Sequence, residues 1–253
     1  MGMFSPAISP VDPNLMMLNC DMSAAYILED GGRNWRMIGH AQLRSDMACR
    51  PAFHPTDPNI IYASSGGRLK ISRDRGKTFA SIGNLRDPLG GEIAINPADP
   101  KIMLAGSRSG RCWLSRDAGA TWAACQGPAG QVIAFHFDRT RQGGSMFAAT
   151  DRGVWRSDVG GQTWQRIGRE GPQTFGGYFH PKHDGWIYMT LTEDAPGAGL
   201  WLSRDGGQTW RAFDDLPFSN IQRVEFDPAN DAVIRVTTFG DSVWRGPVAP
   251  SEP

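Results

Sequence analysis

Ser203-Arg204-Asp205-Gly206-Gly207-Gln208-Thr209-Trp210 is one of five versions of the pattern Ser-x-Asp-x-Gly-x-Thr-Trp in this chain. Ser115-Arg116-Asp117-Ala118-Gly119-Ala120-Thr121-Trp122 is equally complete, and Ser72-Arg73-Asp74-Arg75-Gly76-Lys77-Thr78-Phe79 ends on a different ring. Two copies are degenerate. Asp30-Gly31-Gly32-Arg33-Asn34-Trp35 lacks the threonine, and Ser157-Asp158-Val159-Gly160-Gly161-Gln162-Thr163-Trp164 carries Val159 in the aspartate slot. Successive aspartate slots lie 44, 43, 42 and 46 residues apart. A fixed period in the forties marks one supersecondary unit repeated, and a four-stranded propeller blade is a unit of that size.

A second landmark precedes each box. It reads Ile8-Ser9-Pro10-Val11-Asp12-Pro13, Phe53-His54-Pro55-Thr56-Asp57-Pro58 and Ile95-Asn96-Pro97-Ala98-Asp99-Pro100, and continues as Phe137-Asp138, Phe179-His180-Pro181 and Phe226-Asp227-Pro228. That makes six copies against five boxes, and an apolar run follows each. Proline presets φ and aspartate bonds its own backbone, so these residues between apolar runs mark a turn. Each unit therefore reads strand A, Asx/Pro turn, strand B, short Gly-rich turn, strand C, Asp-containing turn, strand D. The expected fold is all-β: a six-bladed β-propeller of four-stranded antiparallel blades in a single domain over residues 1–253. The blades fall near 4–39, 47–83, 91–126, 131–168, 174–213 and 221–246, with a Pro-rich tail over 247–253. The sixth unit has no box, so its blade is expected to hold three strands. Its open edge, Ser242 to Arg245, is blunted by Pro247 and is a place for weak dimerisation.

All nine tryptophans occupy repeat positions. The box ends supply Trp35, Phe79, Trp122, Trp164 and Trp210. Large rings at one slot per blade suit blade-on-blade packing; a sugar-stacking platform is the alternative. Within the box, Asp30, Asp74, Asp117 and Asp205 can accept backbone N–H groups inside the C–D turn, while Gly takes positive φ and Ser and Thr brace the hairpin. This is fold-making chemistry.

The motif resembles the Asp-box, or BNR repeat, of the propeller superfamily that includes sialidases, sortilins, xyloglucan hydrolases and the photosystem II assembly factor. The resemblance runs from about Ile8 to Arg245 and is specific for fold rather than activity. It implies boxes on the face opposite any ligand site.

Composition limits the remaining classes. Lysine plus arginine and aspartate plus glutamate are 26 each, so no basic excess favours nucleic acid. No run of eighteen apolar residues predicts a membrane span. No secretory leader is visible, which fits a cytoplasmic protein if Met1 is the native start and an extracytoplasmic one if a leader was removed. Cys112 and Cys125 lie at mirror positions about the turn Asp117–Ala120, within disulfide reach across a hairpin. The plainer reading is two buried thiols; a disulfide is the alternative. His54 and His180 share a turn slot with Asn96 and Asp227, and no metal-ligand spacing, cofactor motif or nucleophile triad occurs. No metal or cofactor is expected.

The D–A and B–C loops form the face away from the boxes. Thr190–Gly199 of the fifth unit is the one long B–C connection, which makes Glu193 and Asp194 candidate ligand contacts. Near the top of strand A stand Arg50, Glu92 and Arg223, expected around the mouth of a central channel, with Arg108 on a neighbouring turn. Converging arginines can grip a carboxylate or sulfate bidentately; pairing among themselves or with water is the plainer account. A sialidase-like site is disfavoured, because the resemblance requires a late tyrosine nucleophile and an Arg-Ile-Pro element, and here only Arg50-Pro51 appears. In a glycoside hydrolase, Glu92, Asp151 and Asp241 would supply the acid/base pair, with carboxylates ~6.5–9.5 Å apart in an inverting enzyme. The xyloglucan enzymes place theirs between two propellers, and one is present here. The reading favoured by residues alone is a non-catalytic scaffold that binds a protein partner, with carbohydrate the alternative ligand.

Overall fold

The structure is a computed structural model and describes residues 3–20, 24–31, 33–46, 49–138, 144–167, 174–191, 196–214, 216–227, 230–238 and 243–250. The protein is an all-β, six-bladed β-propeller whose blades are antiparallel sheets, five of four strands and the last of three. Blade 1 comprises β1 (Met3–Ile8), β2 (Met16–Cys20), β3 (Ala25–Leu28) and β4 (Arg36–Met37). Blade 2 comprises β5 (Ala52–Phe53), β6 (Ile61–Ser65), β7 (Arg68–Ser72) and β8 (Ala80–Ser81). Blade 3 comprises β9 (Leu89–Ile95), β10 (Met103–Ser107), β11 (Cys112–Ser115) and β12 (Ala123–Cys125). Blade 4 comprises β13 (Val132–Phe137), β14 (Met146–Thr150), β15 (Gly153–Ser157) and β16 (Gln165–Ile167). Blade 5 comprises β17 (Thr174–Phe179), β18 (Ile187–Leu191), β19 (Gly199–Ser203) and β20 (Arg211–Ala212). Blade 6 comprises β21 (Ile221–Phe226), β22 (Val233–Thr238) and β23 (Val243–Pro247).

The chain divides into two compact units, Met1–Cys125 and Gln126–Pro253, with three blades in each. In the first, Ile27 and Ile38 of blade 1 pack with Ile61 and Phe79 of blade 2, and Tyr62 and Leu69 of blade 2 pack with Met103 and Trp122 of blade 3. In the second, Val154 of blade 4 packs with Ile187 and Met189 of blade 5, and Tyr188 with Val224 and Val236 of blade 6. Strand B is buried along its whole length in blades 3, 4 and 5, as its unbroken small and apolar run dictates. Strand D is short and mostly exposed, as in Arg36–Met37 and Ala80–Ser81.

In five of the blades one side-chain acceptor makes the A–B turn. Ser9 Oγ, His54 Nδ1, Asn96 Oδ1 and His180 Nδ1 each accept the backbone N–H groups two and three residues on. Asp227 Oδ1 accepts from the Asn230 N–H. The slot requires a short side chain with a lone pair at the right height, not a particular residue.

The box is a denser network. Ser72, Ser115 and Ser203 donate to the Oδ1 of Asp74, Asp117 and Asp205 at 2.8 Å and accept the N–H of the box glycine at 2.8–2.9 Å. Each carboxylate then accepts both the N–H and the hydroxyl of Thr78, Thr121 or Thr209. Trp122 and Trp210 close the turn by donating Nε1–H to the carbonyls of Gly119 and Gly207. In the degenerate first box Asn34 replaces threonine and donates to both oxygens of Asp30. In the fourth, Asp158 is redeployed to accept from Ser145 and Arg156. The backbone turns left-handed at two successive positions, Arg75-Gly76 and Ala118-Gly119 among them. A Cβ on Gly119 would meet Leu69 and Tyr62 of the neighbouring blade, so the glycine serves both backbone and packing.

Two expectations change. Cys112 and Cys125 form a disulfide, with Cα atoms 5.4 Å apart and the two residues directly paired between β11 and β12, so two thiols is the wrong reading. Phe79 and Trp122 are buried as blade-packing rings, but Trp35 is 47% exposed and rests edge-on against Tyr26. The buried box rings lie against the preceding blade of their own unit. Trp35 opens the first unit and has no such neighbour within it.

Candidate functional site

In each blade the A–B and C–D turns lie at one end of the sheet and the B–C and D–A connections at the other. The box end is chemically committed, since its polar side chains hold turns together. Partial burial works against ionisation of Asp74, but its hydrogen bonds from Thr78 and Ser72 outweigh this and lower its pKa to about 2. The hydrogen bonds from Thr209 likewise lower Asp205 to about 2. Such carboxylates stay ionised and are poor proton donors.

At the other end, the candidates separate. Arg50 precedes β5 and Glu92 lies within β9, both half-buried in the first unit; Arg223 is half-buried in β21 of the second. All three are engaged in polar or electrostatic contacts. Arg108 sits on the B–C turn of blade 3 with its side chain 57% exposed, and its Nη2 lies 3.9 Å from Asp46 Oδ1. Its Nε–H also donates to the Leu89 carbonyl at 3.3 Å. Asp151 is on the B–C turn of blade 4. Glu193, Asp194 and Asp241 lie outside the described residues.

Three carboxylates at this end share one job. Asp46, buried on the connection into blade 2, accepts from the Ser64 hydroxyl and from the Gly67 N–H at 3.1 Å. Asp87, on the connection into blade 3, accepts from Ser109 Oγ at 2.6 Å and from Trp113 Nε1 at 3.2 Å. Asp151 accepts the Gln131 N–H at 2.7 Å, and its own N–H donates to the Gln131 carbonyl at 3.1 Å. Each fastens a D–A connection to the B–C turn of the same blade. For Asp87, partial burial opposes ionisation, but Ser109, Ser107, Trp113 and the Arg111 charge together hold it below the usual carboxylate range. No group of three or more His, Cys, Asp or Glu suited to a metal ion occurs among the described residues.

Asp46 and Asp87 escape sequence reasoning because neither falls on the repeat. Their only signal is position, on a connection that must pass beside a tight Gly- or Ser-rich B–C turn. What the described connections of blades 2, 3 and 4 offer chemically is a set of hydrogen-bonded turns, with Arg108 and Arg111 of blade 3 both exposed.

Comparison with known proteins agrees with this architecture. The BNR/Asp-box repeat model matches residues 201–212. The xyloglucanase of Paenibacillus sp is 25% identical over 246 residues, covering 76% of this chain and 24% of that protein. Xyloglucanase Xgh74A of Acetivibrio thermocellus is 25% identical over 216 residues, covering 66% of this chain and 26% of its own length. The chain thus spans about a quarter of the curated relatives it matches. Among solved structures, the GH74 enzyme of Niastella koreensis superposes with a TM-score of 0.79 at 17% identity, covering 96% of this chain and 45% of that one. YCF48 bound to D1 peptide superposes with a TM-score of 0.66 at 14% identity, covering 95% of this chain and 76% of that one. At these identities the solved structures speak to fold alone.

Proposed function

We propose that this chain, an Asp-box (BNR-repeat) β-propeller, is a non-catalytic scaffold that binds a protein partner through its D–A and B–C loops. The observation that carries the reading is the engagement of Asp151. An acid or base catalyst must exchange a proton with substrate, whereas Asp151 Oδ1 holds a backbone N–H at 2.7 Å, and Asp46 and Asp87 are similarly occupied in turns. A rigid loop surface with exposed guanidinium groups suits peptide backbone and acidic side chains. That a protein of this fold, YCF48, is known bound to a peptide is in keeping with it.

A second reading, carbohydrate binding or cleavage with Glu92, Asp151 and Asp241 in the acid/base roles, is favoured by the xyloglucanase relatives. One experiment separates the two. The purified protein is incubated with xyloglucan and with aryl glycosides while released reducing ends are followed, and the same protein is screened against a peptide library. The scaffold reading expects no turnover, and selected peptides whose affinity drops about tenfold with Arg108→Glu. Turnover abolished by Glu92→Gln would overturn it.

A further inference from the structure

Blade 6 ties the end of its third strand to the A–B turn at the same carbonyl as the blades that continue into a fourth. In blades 1, 2, 3 and 5, the residue after the aspartate slot (Gly31, Arg75, Ala118 or Gly206) donates its N–H to a carbonyl of the A–B turn, that of Asn14, Asn59, Lys101 or Gly185. Blade 6 has no box, yet its third strand reaches the equivalent carbonyl, that of Ala232, through the N–H of Val248, which stands one residue closer to Trp244 than the box donors stand to the matching residue of their own blades. The match extends to the neighbouring blade. Tyr62 of blade 2 donates its hydroxyl to the Ala118 carbonyl of blade 3, and Tyr188 of blade 5 donates to the Val248 carbonyl of blade 6. The backbone is thus set for a fourth strand, which the described residues of this blade do not contain.

The filled positions describe what fits there. Strand D always pairs with the residue at the Trp244 slot: Tyr26 with Met37, Lys70 with Ser81, Trp113 with Ala124, Trp155 with Arg166 and Trp201 with Ala212. The residue after that partner is Ile38, Ile82, Cys125, Ile167 or Phe213. In blades 1, 2 and 5 its N–H donates to the carbonyl of Ala25, Leu69 or Leu200, the slot of Val243. The residue two before the partner is always Trp or Phe. Strand D is therefore an extended aromatic-x-x-apolar segment, two or three residues of which join the ladder. In an antiparallel ladder the N–H and C=O of one residue point to the same side, so Val243 and Arg245 turn theirs toward the missing strand. Pro247, also on that side, has no N–H to offer, which limits the open edge to one strand-D length.

We infer that the edge Val243–Arg245 is a second binding site, independent of the D–A and B–C loops. It takes an extended aromatic-x-x-apolar segment of a partner polypeptide, added as the fourth strand of blade 6 by β-augmentation. The probe is a fluorescent peptide of residues 205–214 of this chain, which carries that pattern as Trp210-Arg211-Ala212-Phe213. It is titrated into the protein by anisotropy while amide exchange is followed. Saturable binding is expected, with protection of the Arg245 amide, and with affinity lost at least about tenfold when the peptide carries Phe213→Asp. In the protein, Arg245→Pro removes the outward N–H without touching the strand B ladder and abolishes binding, whereas Arg245→Ala retains it. Absence of saturation, protection elsewhere, or indifference to Arg245→Pro would overturn the assignment. So would a concentration-dependent dimer that the peptide fails to dissociate, which would give the edge to a second copy.

Discussion

The hydroxyl of Tyr62 donates to the carbonyl of Ala118 at 3.1 Å, joining the second strand of one blade to the box of the next. Tyr62 is 1% exposed, and burial pushes its phenol above the ordinary range, so it remains a donor at all working pH values. Removing the hydroxyl leaves that carbonyl without its side-chain donor inside an apolar wall. Tyr62→Phe is expected to lower stability by about 1 kcal/mol, read from the urea midpoint at constant slope. An unchanged midpoint would mean that water replaces the bond.

The fourth box offers a gain rather than a loss. Val159 is 50% exposed in a slot where Asp74, Asp117 and Asp205 each hold a threonine twice. Ser157 already accepts the Gly161 N–H at 3.0 Å, so half of the network is in place. Val159→Asp should raise stability by about 0.5 kcal/mol, the gain being limited by the neighbouring Asp158 charge. A fall in melting temperature would show that Asp158 has taken over the site.

The intact boxes predict acid sensitivity at low pH. Asp74 and Asp205 titrate at about 2 in the folded protein, below the unfolded carboxylate at ~3.9. Because the folded value is depressed, their stabilisation is present above about pH 4 and is lost as pH falls through about 2. Asp205→Asn should flatten the stability profile between those limits, measured by urea unfolding at a series of pH values. A profile as steep as the parent's would place the sensitivity in other groups.

His180 predicts a second, milder acid response. It is 1% exposed, with Nδ1 accepting the N–H of Lys182 and of His183 at 3.1 Å, so its proton sits on Nε2 and points to the Asp231 carbonyl at 3.3 Å. Burial among Trp186, Tyr188 and Phe226 lowers its pKa, with His183 and Lys182 adding to the effect and Asp231 opposing it. Above the unfolded value of ~6.5 its contribution is complete. As pH drops below that, the unfolded chain takes up the proton first and stability declines. His180→Asn, which keeps the acceptor, should remove most of the difference between unfolding midpoints at pH 7.5 and pH 5.

The disulfide closes a loop between residues 13 apart in sequence, Cys112 and Cys125. Replacing both by serine should cost about 2–3 kcal/mol, seen as a lower melting temperature than that of the oxidised protein. Reduction of the parent should reproduce the shift, and equal melting temperatures would show that the bridge constrains nothing the strands do not.

What could be read in advance follows from what repeats. The box, the A–B turn and the blades recur at a fixed period, the lack of a sixth box marks the three-stranded last blade, and the fold realises six blades with three strands in the last. The register that sets Cys112 opposite Cys125 was also legible, but their oxidation was not, since mirror positions serve thiols equally well. Asp46 and Asp87 could not be found this way. Each occurs once, on a connection of irregular length, and acts only because folding carries it beside a B–C turn. Trp35 shows the opposite limit: it fills the same slot as the buried Trp122, yet it is 47% exposed.

The interchange of Ser9, His54, Asn96, His180 and Asp227 at a single corner has a consequence for adaptation. Three of these five corners accept hydrogen bonds at any ordinary acidity, while the two imidazoles carry the lone pair only when neutral. Exchanging those two letters for asparagine, already in use at Asn96, would give a scaffold of unchanged outline suited to a more acidic milieu.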